Sequence, residues 1–215
     1  MAWPVERERH SLTDLFSADS QRLSRLTLEA AGLYFDWSKT HLTEDLIDQF
    51  VRVTGERDLA GAREALFQGR IVNPSEGRPA EHTAERGEGA PDSVARARAF
   101  HNRMRALIDA IEAGALGEIR HVLHVGIGGS ALGPDLLIDA LGREADRYEV
   151  AIVSNVDGAA IEEAMRRFDP ETTLLVVASK TFTTTETMLN AASALSWMVE
   201  AGVEDPYGRV VALTA

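Results

Sequence analysis

From Arg120 onward the sequence repeats one pattern, in which a short and almost continuous apolar run is followed by a segment with helical spacing. Four such runs occur: His121 to Val125, Val150 to Val153, Thr173 to Ala178 and Arg209 to Leu213. A strand that is apolar on both faces is buried on both faces, as in a parallel sheet covered by helices. The pattern predicts a three-layer α/β/α sandwich with a parallel sheet over residues 105–215.

The segments between these runs predict the helices that cover the sheet. Apolar residues recur there at helical spacing, which is typical of helices with one buried face. The two stripes consist of Ile161, Ala164, Met165 and Phe168, and of Met188, Ala192, Leu195 and Val199.

Residues 1–104 lack this alternation and predict a mainly helical segment with a short hairpin. Apolar residues alternate on either side of Ala30-Ala31-Gly32, which favours two strands and a tight turn. Thr43 is suited to cap a following helix, and a second apolar stripe begins at Leu59. The stretch from Asn73 to Pro91 is rich in Gly, Pro and Glu and predicts a surface loop, after which Asp92 or Ser93 is suited to cap another helix.

Composition narrows the classes of partner. The net charge of −12 argues against nucleic-acid binding, which depends on clustered Lys and Arg. No run approaches the length of about 18 apolar residues that a membrane span needs, so we expect a cytoplasmic protein without a membrane partner.

The chain has no cysteine, and His121 and His124 lie three apart on a strand, where side chains point to opposite faces. We therefore expect no metal site.

The first chemistry-bearing motif is Gly126-Ile127-Gly128-Gly129-Ser130, which follows a predicted strand and leads into a helix. Glycines let a backbone approach a ligand closely, and N–H groups at a helix start face an anion. Two other interpretations remain open. Gly126, Gly128 and Ala131 also satisfy a dinucleotide fingerprint, with Asp157 as the ribose-binding acid, and a tight turn without a ligand would have the same composition.

The second motif runs from Ser179 to Thr187 and follows the next strand but one. Thr183 and Glu186 have the spacing of a capping box, which predicts a helix start inside this run. Hydroxyl groups, successive N–H groups and the helix dipole there would suit a phosphate, and Lys180 could add a charge. The alternative is a Thr-rich helix cap without a ligand. Because both motifs follow parallel strands, we expect them at the same edge of the sheet.

These motifs resemble those of the phosphoglucose isomerase family. The Ser179 to Thr187 run resembles that family's sugar-phosphate motif, and Val125 to Ser130 resembles its other substrate loop. The run from Phe35 to Lys39 resembles its Asp-Tyr-Ser-Lys element. Seven further residues follow its Asn-x-Thr-Glu-x-Arg-x-x-x-His-x-Ala-x-Arg pattern: Asn73, Ser75, Glu76, Arg78, His82, Ala84 and Arg86. The chain departs from the family around this pattern at Pro79, Ala80, Glu81 and Glu85.

The resemblance implies a sugar-isomerase (SIS) domain and the interconversion of glucose 6-phosphate and fructose 6-phosphate through a cis-enediol, without metal or nucleotide. It implies that Gly129 and Ser130 contact the sugar. It also implies a cradle for the 6-phosphate formed by Ser179, Lys180, Thr181, Phe182, Thr183 and Thr184. The glutamate that transfers the proton, a histidine contributed across a homodimer, a lysine and a Gly-Gly-Arg loop would lie downstream of these matches. No catalytic residue is therefore expected among the 215.

Where the chain stops bears on the predicted fold and activity. It stops two residues after the fourth apolar run, so we expect an incomplete sheet and a truncated, inactive amino-terminal part of the isomerase. A non-catalytic sugar-phosphate-binding SIS module remains the alternative function.

Overall fold

The computed structural model describes residues 10–143 and 147–214, which form two compact units divided between Ala99 and Phe100. The first unit contains α1 (Leu12–Ala18), α2 (Arg22–Arg25), β1 (Thr27–Ala30), β2 (Leu33–Asp36), α3 (Glu44–Glu56) and α4 (Leu59–Phe67). Helix α5 (Pro91–Glu112) spans the division. The domain boundary after residue 104 stays a prediction.

The predicted hairpin is confirmed. Strands β1 and β2 pair antiparallel, with Ala30 opposite Leu33. Ala31 and Gly32 between them have φ values of 54° and 74°. Left-handed backbone at both central residues is the geometry of a type I′ turn, which matches the twist of the flanking strands.

Two predicted helix caps have different outcomes. Thr43 caps α3, since its Oγ1 accepts a hydrogen bond from the N–H of Leu46 at 3.2 Å. The predicted caps of α5 are wrong, because that helix begins at Pro91, ahead of Asp92 and Ser93. Proline suits a first helical position, where no intrahelical N–H bond is lost. The Ser93 hydroxyl instead donates to the Glu81 carboxylate.

A buried arginine holds the chain that follows β2. The Arg22 guanidinium donates to the carbonyl oxygens of Ser38 at 2.9 Å, Thr40 at 2.6 Å and Leu42 at 2.8 Å. The planar guanidinium can serve several acceptors at once, so a single side chain satisfies three carbonyl groups of an irregular segment. Sequence reasoning missed this role, since Arg22 lies far along the chain from the segment it holds.

Helix α1 supplies a pH-dependent prediction. The hydroxyl and the N–H of Ser11 both donate to Asp14, at 2.6 and 3.3 Å, and hold the pKa of that carboxyl below its ordinary value. A lowered pKa stabilises the folded state above the unfolded-state pKa, and the contribution is lost as pH falls through the folded-state pKa. We expect Ser11→Ala to raise the Asp14 titration midpoint in an NMR titration. The part of its stability difference from the wild type that depends on the Asp14 charge should disappear in acid, whereas the loss of the Ser11 cap bond to the Asp14 N–H should persist. An unchanged midpoint would contradict this.

The second unit contains the predicted parallel sheet. Its strands are β3 (His121–Val125), β4 (Glu149–Val153), β5 (Thr173–Ala178) and β6 (Val210–Leu213), in the order β4-β3-β5-β6 with every neighbouring pair parallel. The connecting helices are α6 (Gly129–Leu141), α7 (Gly158–Arg167) and α8 (Thr185–Glu200). The strand predictions are confirmed to within one residue.

Helices cover both faces of the sheet. Leu123 and Val125 of β3 lie in the buried cluster that contains residues of α7 and α8. His124 points to the opposite face, where its ring contacts Ser130 at the start of α6. The predicted α/β/α layering is therefore confirmed. Within residues 10–143 and 147–214, no helix is both long enough and apolar enough to cross a membrane.

The two helical stripes have different outcomes. The α7 stripe is confirmed, with Ile161, Ala164 and Phe168 buried. The α8 stripe is wrong by about one position, since Met188 and Val199 are exposed. The residues that α8 buries are Thr187, Asn190, Ala191, Ala194 and Met198. Because Thr187 and Asn190 are polar, hydrophobic spacing does not identify this buried face.

Candidate functional site

Both predicted ligand loops leave the same edge of the sheet. They follow β3 and β5, which are adjacent and parallel. From β3 the chain continues to β4 on one side, and from β5 it continues to β6 on the other side. The two loops therefore diverge at a topological switch point, the position where open α/β sheets place their ligands.

The glycine loop is packed tightly where it leaves β3. A Cβ atom on Gly126 would lie 3.0 Å from the carbonyl oxygen of Ser130 and 3.1 Å from that of Ala178, at the end of β5. Gly128 has a φ of 58° and a ψ of −123°, a conformation that side chains strongly disfavour. Its carbonyl accepts from the N–H groups of Ala131 and Leu132, so Gly129 and Ser130 form the first turn of α6.

The loop after β5 is held by its own hydrogen bonds. Ser179 is buried, and its hydroxyl accepts from the N–H of Phe182 at 3.0 Å. Phe182 has a φ of 53° and packs against the core cluster. The hydroxyls of Thr181 and Thr183 share a hydrogen bond of 2.6 Å, and the carbonyl of Lys180 accepts from the Thr214 hydroxyl at 3.0 Å. The loop is therefore anchored at several points before α8 begins.

The predicted capping box at the start of α8 is wrong. The helix begins at Thr185, so the N-cap is Thr184 and not Thr183. Among the hydrogen bonds of the described residues, no side-chain cap bond is made by Thr184, and Thr183 bonds to Thr181 instead. Phe182, just before the helix, has a left-handed φ of 53°, and the helix starts one residue later than the motif predicts.

The two helices at this edge lack side-chain N-caps within the described residues, as does the short helix α2. Four α-helices of the described chain are each capped by a side chain, from Ser11, Thr43, Asp58 and Asp157. Helices α6 and α8 have N-caps that make no such bond in the described part of the chain. First-turn N–H groups have no intrahelical partner, and the helix dipole makes this end positive. The start of α8 is thus suited to an anion, whereas in α6 the N–H groups of Ser130 and Ala131 already donate to the carbonyls of Ile127 and Gly128.

A dinucleotide site receives no support from Asp157. Its carboxylate accepts from the N–H of Ala159 at 3.0 Å and so caps α7. The histidines of β3 are also engaged, since His121 stacks on Phe168 and contacts Thr172, and His124 contacts Ser130. In the part of the chain that the structure describes, no group of three or more His, Cys, Asp or Glu residues could hold a metal ion.

One further hydrogen bond stabilises the site, and no sequence pattern predicted it. The side-chain amide of Asn190, buried on α8, donates to the carbonyl oxygen of Asn155 at 2.8 Å. This bond ties the first turns of α8 to the chain that follows β4. Hydrophobic spacing could not find Asn190, because a polar residue on a helix predicts exposure.

The motif in the first unit forms a compact turn. Asn73 and Arg78 are bridged, with the N–H of Asn73 donating to the carbonyl of Arg78 at 3.2 Å. The side-chain oxygen of Asn73 accepts from the hydroxyl of Ser75 at 2.7 Å. Glu81, which departs from the family pattern, pairs with Arg96 of α5 at 3.1 Å. Glu81 therefore makes polar contacts inside this unit.

The second unit is an α/β protein fold with a parallel sheet, and two of its loops leave the switch point where such sheets place their ligands. The chain belongs to the phosphoglucose isomerase family, whose sequence profile matches residues 36–215. It is 66% identical to the glucose-6-phosphate isomerase of Rhizorhabdus wittichii, over 100% of this chain and 43% of that protein. It is 59% identical to that of Zymomonas mobilis, over 95% of this chain and 40% of that protein.

A solved structure agrees with this family. The crystal structure of a glucose-6-phosphate isomerase from Chlamydia trachomatis matches with a TM-score of 0.79 and 28% identity, over 96% of this chain and 42% of that one. The chain spans less than half the length of each of these relatives.

Proposed function

We propose that this protein acts as a glucose-6-phosphate isomerase and that residues 105–215 supply its phosphate-binding part, a SIS domain. The observation that carries the proposal is the pair of helix starts without side-chain caps, in the described chain, at the switch point between β3 and β5. The names of the similar proteins support the same substrate, a hexose 6-phosphate.

The 6-phosphate is assigned to the start of α8. Its oxygens would accept hydrogen bonds from the first-turn N–H groups and from nearby hydroxyls. The residues proposed for this cradle are Ser179, Lys180, Thr181, Phe182, Thr183 and Thr184. Ser179 and Phe182 shape the loop through their mutual hydrogen bond, whereas Thr181 and Thr183 are exposed and present hydroxyls.

The sugar is assigned to the start of α6. Gly129 and Ser130 follow the tightly packed Gly126 and lie one strand away from the phosphate cradle. A ligand held at both helix starts would have its phosphate fixed and its sugar directed toward Gly129. This positioning lowers the entropy cost of the chemical step.

The chemistry proposed is a proton transfer between C2 and C1 through a cis-enediol. The family resemblance places the glutamate base and the ring-opening histidine outside the stretch that these 215 residues match. Residues 10–143 and 147–214 are accordingly assigned binding and orientation of the substrate. We further propose a homodimeric, cytoplasmic enzyme that uses neither nucleic acid nor membrane as a partner.

The proposal is tested by binding and turnover together. Glucose 6-phosphate should shift the NMR amide signals of Thr185 and Glu186, and inorganic phosphate should compete for the same signals. The full-length protein should convert glucose 6-phosphate in a coupled assay, whereas the 215-residue chain alone should show no turnover. Phosphate-induced shifts elsewhere, with none at the start of α8, would refute the site. Substantial turnover by the 215-residue chain would refute the assignment of the base.

A further inference from the structure

The carbonyl of Ser130 lacks its usual helical donor. Ser130 lies in the first turn of α6, where its oxygen would accept from the N–H of the residue four positions later. That residue is Pro134, which lies inside the helix. Proline has no N–H, and its ring crowds the carbonyl four residues before it. The sequence thus leaves the Ser130 oxygen in need of another donor.

His124 supplies that donor from the neighbouring strand. Its Nε2 lies 2.7 Å from the Ser130 oxygen, and the His124 side chain is buried beneath the turn. A carbonyl oxygen can only accept a hydrogen bond, so this contact requires a proton on Nε2. The bond joins the carboxyl-terminal end of β3 to the first turn of α6, across the glycine loop that connects them.

We propose that His124 is a positioning residue whose Nε2–H replaces the N–H that Pro134 lacks, and thereby fixes the helix start that presents Gly129 and Ser130. The same carbonyl also limits the space at Gly126, where a Cβ would lie 3.0 Å from it. Two parts of the loop thus depend on the placement of one oxygen atom. The consequence for substrate binding rests on the proposed function, whereas the hydrogen bond does not.

The protonation of the ring tests the hydrogen bond without any substitution. In protein labelled with ¹⁵N-histidine, we expect a slowly exchanging proton on Nε2 of His124, because that proton is buried and bonded. His124→Gln, whose side-chain amide nitrogen reaches a similar position, identifies the signal by its loss. A His124 ring protonated only at Nδ1 would overturn the proposal.

A double substitution tests the replacement of one donor by the other. His124→Leu should lower the Tm by roughly 3–10 °C, because a partly buried carbonyl loses its partner. Pro134→Ala restores an N–H four residues after Ser130, so His124→Leu/Pro134→Ala should recover most of this loss. Pro134→Ala alone should fold with a Tm close to that of the wild type. A double variant no more stable than His124→Leu would overturn the proposal.

Substrate affinity separates positioning from general stability. In the full-length protein, His124→Leu should raise the KM for glucose 6-phosphate by on the order of tenfold, and the double variant should restore it. A loss of folded protein would lower the apparent kcat and leave KM unchanged, which would overturn the positioning role. If His124→Leu does not fold, two other measurements test the proposal. They are the NMR spectrum of the wild-type protein and the KM of His124→Gln, which we expect to be near the wild-type value. If the wild type does not bind glucose 6-phosphate, the proposed function is wrong. The NMR spectrum and the Tm values would still test the hydrogen bond between His124 and Ser130.

Discussion

The Gly126→Ala variant is expected to lose stability and hexose 6-phosphate affinity together. The added Cβ would lie 3.0 Å from the Ser130 oxygen and 3.1 Å from the Ala178 oxygen, and both are backbone atoms that cannot rotate away. Overpacking of this kind costs about 1–3 kcal/mol. Relief requires the start of α6 and the end of β5 to move apart, which displaces the groups proposed to bind the substrate. A misplacement of about 1 Å can lower the rate of a catalysed reaction roughly 100-fold.

Urea denaturation and phosphate titration of this variant measure the two losses. The matched control is Gly133→Ala on the same helix, since a Cβ there would meet no atom of the described residues within 4 Å. Alanine in a helix interior is favoured over glycine by about 1 kcal/mol, so the control should be as stable as the wild type or more so. If the two variants have the same stability and the same phosphate affinity, the close packing around Gly126 does not constrain the site.

Most of the second unit could be predicted from the sequence because its strands are buried on both faces. A run such as Thr173 to Ala178 has few alternatives to a central strand, and its neighbours follow the same rule. Parallel pairing then brings the loops after β3 and β5 to one edge without any knowledge of side chains. The edge of the sheet that carries the candidate site was therefore predictable.

The wrong predictions for the start and the buried face of α8 have a common physical origin. Both depend on backbone conformation and on polar side chains. Nothing in the sequence around Phe182 shows that this residue adopts a left-handed φ just before α8, which starts one residue later than predicted. Thr187 and Asn190 are polar and still face the sheet, so the buried face of α8 was assigned one position away. Hydrophobic spacing detects apolar burial only, and polar burial follows from partners elsewhere in the chain.

The donors that hold the irregular segments were also beyond sequence reasoning. Pro134 indicates that the Ser130 carbonyl needs a donor, but only the placement of β3 beside α6 identifies His124. Arg22 likewise serves carbonyl groups from 16 to 20 residues further along the chain. Whether further strands follow β6 stays a prediction.

The Thr184→Asp variant is expected to gain stability and to lose phosphate binding. Thr184 is the N-cap of α8 and makes no side-chain cap bond within the described chain, so its first-turn N–H groups remain for a ligand. An aspartate at this position would accept from those N–H groups and complement the helix dipole, which stabilises the protein by about 0.5–1 kcal/mol. The same carboxylate would occupy the donors and repel a dianion at close range, so affinity should fall by roughly 100-fold or more.

Matched variants separate capping from charge in thermal unfolding and phosphate titration. Thr184→Asn can cap α8 without charge, so it should gain stability and lose less affinity than Thr184→Asp. Thr43→Asp places the same charge at the start of α3, where Thr43 already caps, and should change phosphate affinity little. Stability and affinity move in opposite directions only if the N–H groups that a ligand uses are those that a cap would fill. A Thr184→Asp protein that is stabilised and still binds phosphate like the wild type would therefore place the anion elsewhere.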